Sequence, residues 1–293
     1  MQKARYDKRK NKNIFKPAMT QAQPLDLIEE IVSERINVFT TKNSVIYRGK
    51  IPSDGSYPLK DNFWYKIPDV VCVFTDLRGS TKFCAIAHEE STASVYEFFT
   101  GVAMKIFHVF GASYVDVKGD GAFALFNKDE VFRAFAAAIS FKTFAAEKFK
   151  SLMEEQVEEF DIGFHIGIDQ ESILVKRVKV RGNQNKVLRK NEFWVGKPIN
   201  MAAKLSSMSK DNELWVSDRF FSNLNGEELV MGSQWFCNER EGDEKVDLWK
   251  RIDLSDDDPF DFNKAYVTEG IYCHKHGKEW CEKILALDKK YFG

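Results

Sequence analysis

The chain has 293 residues, 44% of them hydrophobic and 14% aromatic, with 43 basic against 44 acidic side chains. That composition buries a real core and excludes a wholly disordered chain, while a net charge of −1 excludes a global field drawing it to nucleic acid or a membrane surface. No run approaches the roughly 18 apolar residues of a membrane span, and five cysteines fit a reducing cytoplasm better than a disulfide scaffold.

Residues 1–20 are basic and unpatterned, with no apolar core of a signal peptide, and read as a flexible, solvated arm. Residues 21–66 form a helical and irregular extension, in which Leu27, Ile28, Ile31, Val32 and Ile36 recur at helical spacing. The main domain is expected over 67–225. It opens with a buried strand at Val70–Phe74, followed by a helix with a Ser94/Glu97 capping box and a stripe of Val95, Phe98, Phe99, Val102, Ile106 and Val109. Ser113–Val117 and Ala122–Phe126 flank Lys-Gly-Asp-Gly, a tight hairpin turn. A Phe- and Ala-rich helix covers 130–150. In Phe160–Asp169 the residues Phe160, Ile162, Phe164, Ile166 and Ile168 share one face, with Gly163 and Gly167 leaving room on the other. A second apolar run at Ile173–Val175, a basic loop, a strand at Phe193–Val195, a helix from Pro198 and a strand at Leu214–Ser217 complete the domain. Residues 226–293 form a C-terminal extension read as β-α-β. The order βαββαβ predicts an α+β fold: a ferredoxin-like core whose mixed, mostly antiparallel sheet carries helices on one side.

The chemistry concentrates in three places. Asp76 ends the first strand and Asp120 sits in the hairpin turn, so in such a sheet the two acids face each other across neighbouring strands. Paired carboxylates suit two divalent cations, and hard oxygen ligands favour Mg²⁺ or Mn²⁺. After Asp76, the segment Leu77, Arg78, Gly79, Ser80 and Thr81 offers backbone N–H groups and hydroxyls at a helix start, a cradle for phosphate. Asn200 and Lys204 lie four apart, on one face of the helix after Gly196.

The stretches Val-Phe-Thr-Asp-Leu-Arg-Gly-Ser-Thr-Lys-Phe, Val-Lys-Gly-Asp-Gly-Ala-Phe-Ala-Leu-Phe and Val-Gly-Lys-Pro-Ile-Asn-Met-Ala-Ala-Lys-Leu resemble, in order, the three signature blocks of the class III nucleotidyl cyclases, over about residues 69–225. The resemblance implies attack of a ribose 3′-OH on the α-phosphate of its own triphosphate, giving a 3′,5′-cyclic nucleotide and pyrophosphate. It implies that Asp76 and Asp120, with the Leu77 carbonyl, hold two metals, that Asn200 orients the ribose, and that Lys204 stabilises charge at the α-phosphate. It also implies a homodimer, because the family builds each site from the metal acids of one protomer and the Asn/Arg helix of the other. Lys204 stands where the family carries Arg, which loses the planar fork. The base-reading positions fall on Asp116 and Phe193 and match neither adenylate nor guanylate cyclases. The third block and the Cys/His-bearing tail resemble the pyrimidine cyclases of Pycsar anti-phage systems, which implies cCMP or cUMP acting on a separate effector.

Cys237, Cys273, His276 and Cys281 are candidate ligands for a structural Zn²⁺, and Cys281 equally suits a helix core. The seven basic residues between Lys176 and Lys190 read as a solvated hairpin or as a field steering a triphosphate inward. His165 reads as structural. Alternatives to a pyrimidine cyclase are a purine cyclase, a cyclase-like nucleotide sensor, and a polymerase-like palm that joins nucleotides.

Overall fold

A computed structural model of the chain describes residues 24–156, 161–181, 187–232, 248–255, 259–272 and 276–293. Before the core come α1 (Pro24–Thr40) and β1 (Ser44–Tyr47). The core then runs β2 (Phe63–Arg78), α2 (Ser80–Ile86), α3 (Glu89–Val109), β3 (Tyr114–Lys118), β4 (Gly121–Phe126) and α4 (Val131–Phe144). A π-helical turn at Ala145–Phe149 leads to α5 (Lys150–Gln156), β5 (Gly163–Arg181), β6 (Val187–Gly196), α6 (Lys197–Met208) and β7 (Leu214–Ser217). The chain finishes through α7 (Asp218–Ser222), α8 (Glu228–Met231), β8 (Lys250–Asp253), β9 (Lys264–Thr268) and α9 (Gly277–Phe292).

The main path of the sheet is β3-β4-β2-β5-β7-β9-β8, with β1 added to β2 and β6 to β5. Only β1–β2 and β5–β7 are parallel among the described pairs; the remainder are antiparallel. The expected strand at Val70–Phe74 is thus the centre of a much longer one. Pro68 and a left-handed Asp69 (φ 50°) mark the register shift between Ile67 and Val70, where a missing N–H is tolerated.

One face of the sheet packs on α3, α4 and α9. Val71, Val73, Phe126, Ile166 and Ile168 from the strands meet Phe99, Phe107, Phe132, Phe135, Phe141, Trp280 and Ile284 in one buried cluster. The alternation at Ile162, Phe164, Ile166 and Ile168 is realised in that cluster, while Phe160 lies outside the described residues. The other face carries Cys72, Phe123, Leu125, Ile173 and Val175 with Ile51, Tyr57 and Ala202. Ala202 belongs to α6, so helices cover both faces and not one.

Other local expectations shift for identifiable reasons. The capping box is absent: α3 begins five residues earlier, its acidic first turn (Glu89, Glu90) suits the helix dipole, and the Ser94 hydroxyl donates back to the Glu90 carbonyl. Val95, Phe99, Ala103 and Phe107 form the buried stripe of α3, whereas Val109 is 80% exposed. The apolar stripe of α1 is exposed at Ile28, Ile31, Val32 and Ile36. Ile173–Val175 is not a separate strand, because β5 runs on to Arg181 and returns as β6, making the basic stretch a hairpin.

Among the described residues the C-terminal extension is α-β-β-α and not β-α-β. β9 pairs with β7, which makes the tail part of the central sheet. Asp288 of α9 accepts the Phe132 and Arg133 backbone N–H groups at 3.0 and 3.1 Å, capping α4 from the far end of the chain. Among the described residues no helix is long and apolar enough to cross a membrane.

Candidate active site

β2 and β4 pair with Thr75 opposite Ala122, so the next step sets Asp76 against Gly121, beside the loop residue Asp120. A methyl group added to Gly121 would stand 2.8 Å from the Asp76 Oδ1. The expected turn is present, with Gly119 (φ 65°) and Asp120 as its two loop residues between Lys118 and Gly121. Burial, and after it the Asp120 charge, push the Asp76 carboxyl up to about 6. Two acids held at one half-buried spot with their repulsion unrelieved have the charge and the hard oxygen chemistry for a divalent cation. The residues therefore fit the metals that the sequence suggests, although among the described residues no group of three or more His, Cys, Asp or Glu converges on one point. Further ligands would have to be backbone oxygens, such as the Leu77 carbonyl, or the substrate's own phosphates.

The chain after Asp76 turns at Gly79, whose φ of 80° and whose 2.5 Å clearance between an added Cβ and the Asp161 carbonyl both require glycine. α2 starts immediately after, with no side chain capping its first N–H groups. These groups face a cavity of about 550 Å³ lined by Asp76, Leu77, Gly79, Ser80, Thr81 and Lys82 on one side and by His165, Ala203, Ser206 and Ser207 on the other. Arg78 also lines this cavity, with most of its donors already engaged. Its guanidinium forms paired bonds to Asp161 (2.6 and 2.8 Å) and to Asp211 (2.9 and 2.9 Å), which raise its pKa further and commit four of its five donors. The space at Gly163 is taken by these same Arg78 and Asp211 atoms. Arg78 thus anchors the loop.

Two further residues reach this corner. Tyr96 of α3 pairs with Ser80; burial, followed by the charge of Asp120, raises its pKa. His165 is the direct cross-strand partner of Asp76, and its Nδ1 lies 2.8 Å from the Ser209 carbonyl. A carbonyl accepts only, so Nδ1 carries the proton and Nε2 is the open nitrogen; burial lowers the imidazole pKa, which keeps the ring neutral. His165 is therefore held in place as a wall of the cavity, in line with a structural reading. The sequence signal for Tyr96 was only its place next to Val95 on α3, which a helical count alone does not separate from packing.

Gly167 on β5 gives α6 its seat. A Cβ there would stand 2.3 Å from the Ala202 carbonyl oxygen and 2.6 Å from the Ser206 nitrogen, so helix backbone rests directly on the strand. The seat turns Ala203, Ser206 and Ser207 toward the chain's own Asp76 cavity and leaves Asn200 exposed. Lys204 is half-buried and donates to the Pro259 carbonyl at 2.9 Å. Neither Asn200 nor Lys204 lines the Asp76 cavity of the same chain.

The two base-reading candidates are not brought to one surface. Asp116 accepts from the Val117 N–H and pairs with Lys118 at 2.9 Å on β3. Strand alternation sends Phe193 outward, 48% exposed and 5.8 Å from the Trp64 ring. Its neighbour Trp194 turns the other way and meets Tyr114, on the same face of β3 as Asp116, at 4.9 Å. Of the zinc candidates, Cys237 and Cys273 lie outside the described residues. Cys281 faces the core beside Ser140, where burial raises its thiol pKa, and His276 stands at the N-cap position of α9 with no capping bond from its side chain.

No family model matches the chain. It is 29% identical over 245 residues to a uridylate cyclase of Propioniciclava tarda, covering 81% of this chain and 77% of that one. It is 29% identical over 279 residues to a uridylate cyclase of Micromonospora echinofusca, covering 93% and 87%. Among solved structures, the adenylyl cyclase CyaB from P. aeruginosa superposes with a TM-score of 0.52 at 14% identity, over 70% of this chain and 95% of that one. A class III adenylyl cyclase-like ATP-binding protein from Pseudomonas aeruginosa gives a TM-score of 0.53 at 18% identity, over 75% and 47%.

Proposed function

From a chain that has the class III nucleotidyl cyclase fold and sequence kinship with uridylate cyclases, we propose a pyrimidine nucleotide cyclase, turning UTP into cUMP and pyrophosphate. The observation that carries this reading is the meeting of Asp76 and Asp120 beside the open N–H groups of α2, at the mouth of a cavity large enough for a triphosphate. Asp76 and Asp120, with the Leu77 carbonyl, would hold Mg²⁺ or Mn²⁺. Such ions, when bound, supply charge for the attacking and leaving oxygens of an in-line displacement. The N–H groups and hydroxyls of Gly79, Ser80 and Thr81 cradle the phosphates.

Asn200 and Lys204 face away from their own cavity, which favours a homodimer in which each protomer's α6 completes the partner's site. Asn200 then orients the ribose, and the Lys204 ammonium meets charge that grows at the α-phosphate as the 3′-oxygen attacks. Asp116 reads the base, accepting from the imino N–H of uracil, with Trp194 in place of Phe193 as the aromatic wall. The likeness to the Pycsar enzymes extends the reading to an antiviral second messenger, acting in the cytoplasm on a separate effector.

The likeness to an ATP-binding protein of the same fold supports a second reading, nucleotide binding without turnover. Incubating the pure protein with each of the four NTPs and Mn²⁺ separates the two. cUMP from UTP, abolished in Asp76→Ala and Asp120→Ala proteins that keep the dimer, supports the cyclase. Retained nucleotide with no product supports the sensor, and cAMP or cGMP as the main product sinks the pyrimidine assignment.

A further inference from the structure

Lys204 is gripped from outside the cyclase core, and the grip is built. Residues 259–263 lead into β9 and are tied to the end of β8, where the Leu254 N–H donates to the Asn263 carbonyl at 3.0 Å. Of these, Phe260 and Phe262, with ring centroids 5.1 Å apart, pack onto Leu205 of α6 and Trp215 of β7. Asp261 accepts from Lys197 at 2.6 Å and from Arg219 at 3.0 Å. Arg219 in turn holds the fully buried Asp169 through two bonds of 2.7 and 2.5 Å, and its guanidinium lies 5.2 Å over the Phe262 ring. Lys197 and Lys204 are seven residues apart, two turns along one face of α6. Asp261 therefore takes the first and Pro259 the second.

We propose that the segment 259–263 is a positioning element for Lys204, its Pro259 carbonyl aiming the ammonium that each protomer presents to its partner's triphosphate. The proposal rests on the cyclase reading above. The partner chosen is what separates positioning from blockade. A carbonyl takes one of three N–H donors and leaves the positive charge unneutralised, whereas a carboxylate would cancel it. The segment's Asp261 is spent on Lys197 and Arg219 instead. A lysine also needs such a guide more than an arginine does, since its charge rides on a flexible four-carbon stem without a planar fork.

The test uses the full-length protein with Pro259→Gly, which frees the backbone that carries the carbonyl, and Asp261→Asn, which loosens the segment from α6 and Arg219. With Lys204 present, each lowers kcat for cUMP formation about five- to tenfold at a KM within about twofold, the worth of one ordinary hydrogen bond. In a Lys204→Ala background the same changes move kcat less than about twofold. Equal losses in both backgrounds, or unchanged kcat with Lys204 present, overturn the proposal.

A readout independent of turnover is trace acetylation mapped by mass spectrometry, with Lys210 as internal reference. The segment variants should label Lys204 several-fold faster, and an unchanged ratio overturns the contact. A wild-type protein that makes no cyclic nucleotide sinks the cyclase reading, and the labelling ratio still decides the grip.

Discussion

Gly167→Ala inserts one methyl group between β5 and α6. Its carbon would lie 2.3 Å from the Ala202 oxygen, 2.6 Å from the Ser206 nitrogen and 3.1 Å from the Leu205 Cβ. An ordinary carbon–oxygen contact is roughly 3.3 Å, so the helix must retreat by about 1 Å. It has little freedom to do so. Its C-terminal end is tied by Ser209, whose carbonyl accepts from His165 and whose hydroxyl accepts the Ile166 N–H, and its middle is tied by Lys204 to Pro259. Overpacking of this kind costs about 1–3 kcal/mol, and backbone contacts on a tethered helix put it at the upper end. With an unfolding entropy of about 2 cal/mol/K per residue over this chain, 3 kcal/mol corresponds to a Tm lower by about 5 °C.

Because α6 carries Asn200 and Lys204, displacement by that distance should also lower kcat about a hundredfold. Thermal unfolding followed by circular dichroism and a cUMP assay at saturating UTP read the two effects on one preparation. A variant within about 1 °C and threefold of wild type would refute the claim that helix backbone rests on this strand.

On the proposed role of Asn200 in orienting the ribose, Asn200→Ala should lower kcat about a hundredfold with KM within about threefold; steady-state kinetics with UTP check it. Asp288 is 5% exposed, and burial pushes its carboxyl up to about 6 against the opposing pull of the two α4 amides. A raised carboxylate pKa means that the folded protein binds the proton more tightly than the unfolded chain. This site's contribution is therefore full below about pH 4 and is lost as pH rises through 6, by about 3 kcal/mol at most. Urea unfolding from pH 4.5 to 7.5 should show that decline in the native protein and a flatter profile in Asp288→Asn. Equal profiles in the two proteins would place the pH dependence elsewhere.

The sequence by itself determined the parts of this protein that depend on neighbours along the chain. Alternation along Ile162–Ile168 and the Gly-Asp turn at 119–120 decided their elements, because strand period and turn chemistry are local. The proximity of Asp76 to Asp120 was legible too, since the β3–β4 hairpin pairs antiparallel beside β2, as a ferredoxin-like order predicts. Contacts across long stretches of chain were not legible. Nothing in the spacing of Arg78 says that Asp161 and Asp211 will take its guanidinium, and nothing near Asp116 says that Trp194, and not Phe193, will meet Tyr114 on its face of β3.

The tail was misread for the same reason. Whether Lys264–Thr268 joins the central sheet, and whether Asp288 finds the start of α4, depends on which buried amides and strand edges are left unpaired once the rest has folded. Only the tertiary structure settles that, because hydrogen-bond satisfaction is a property of the whole fold and not of any window within it.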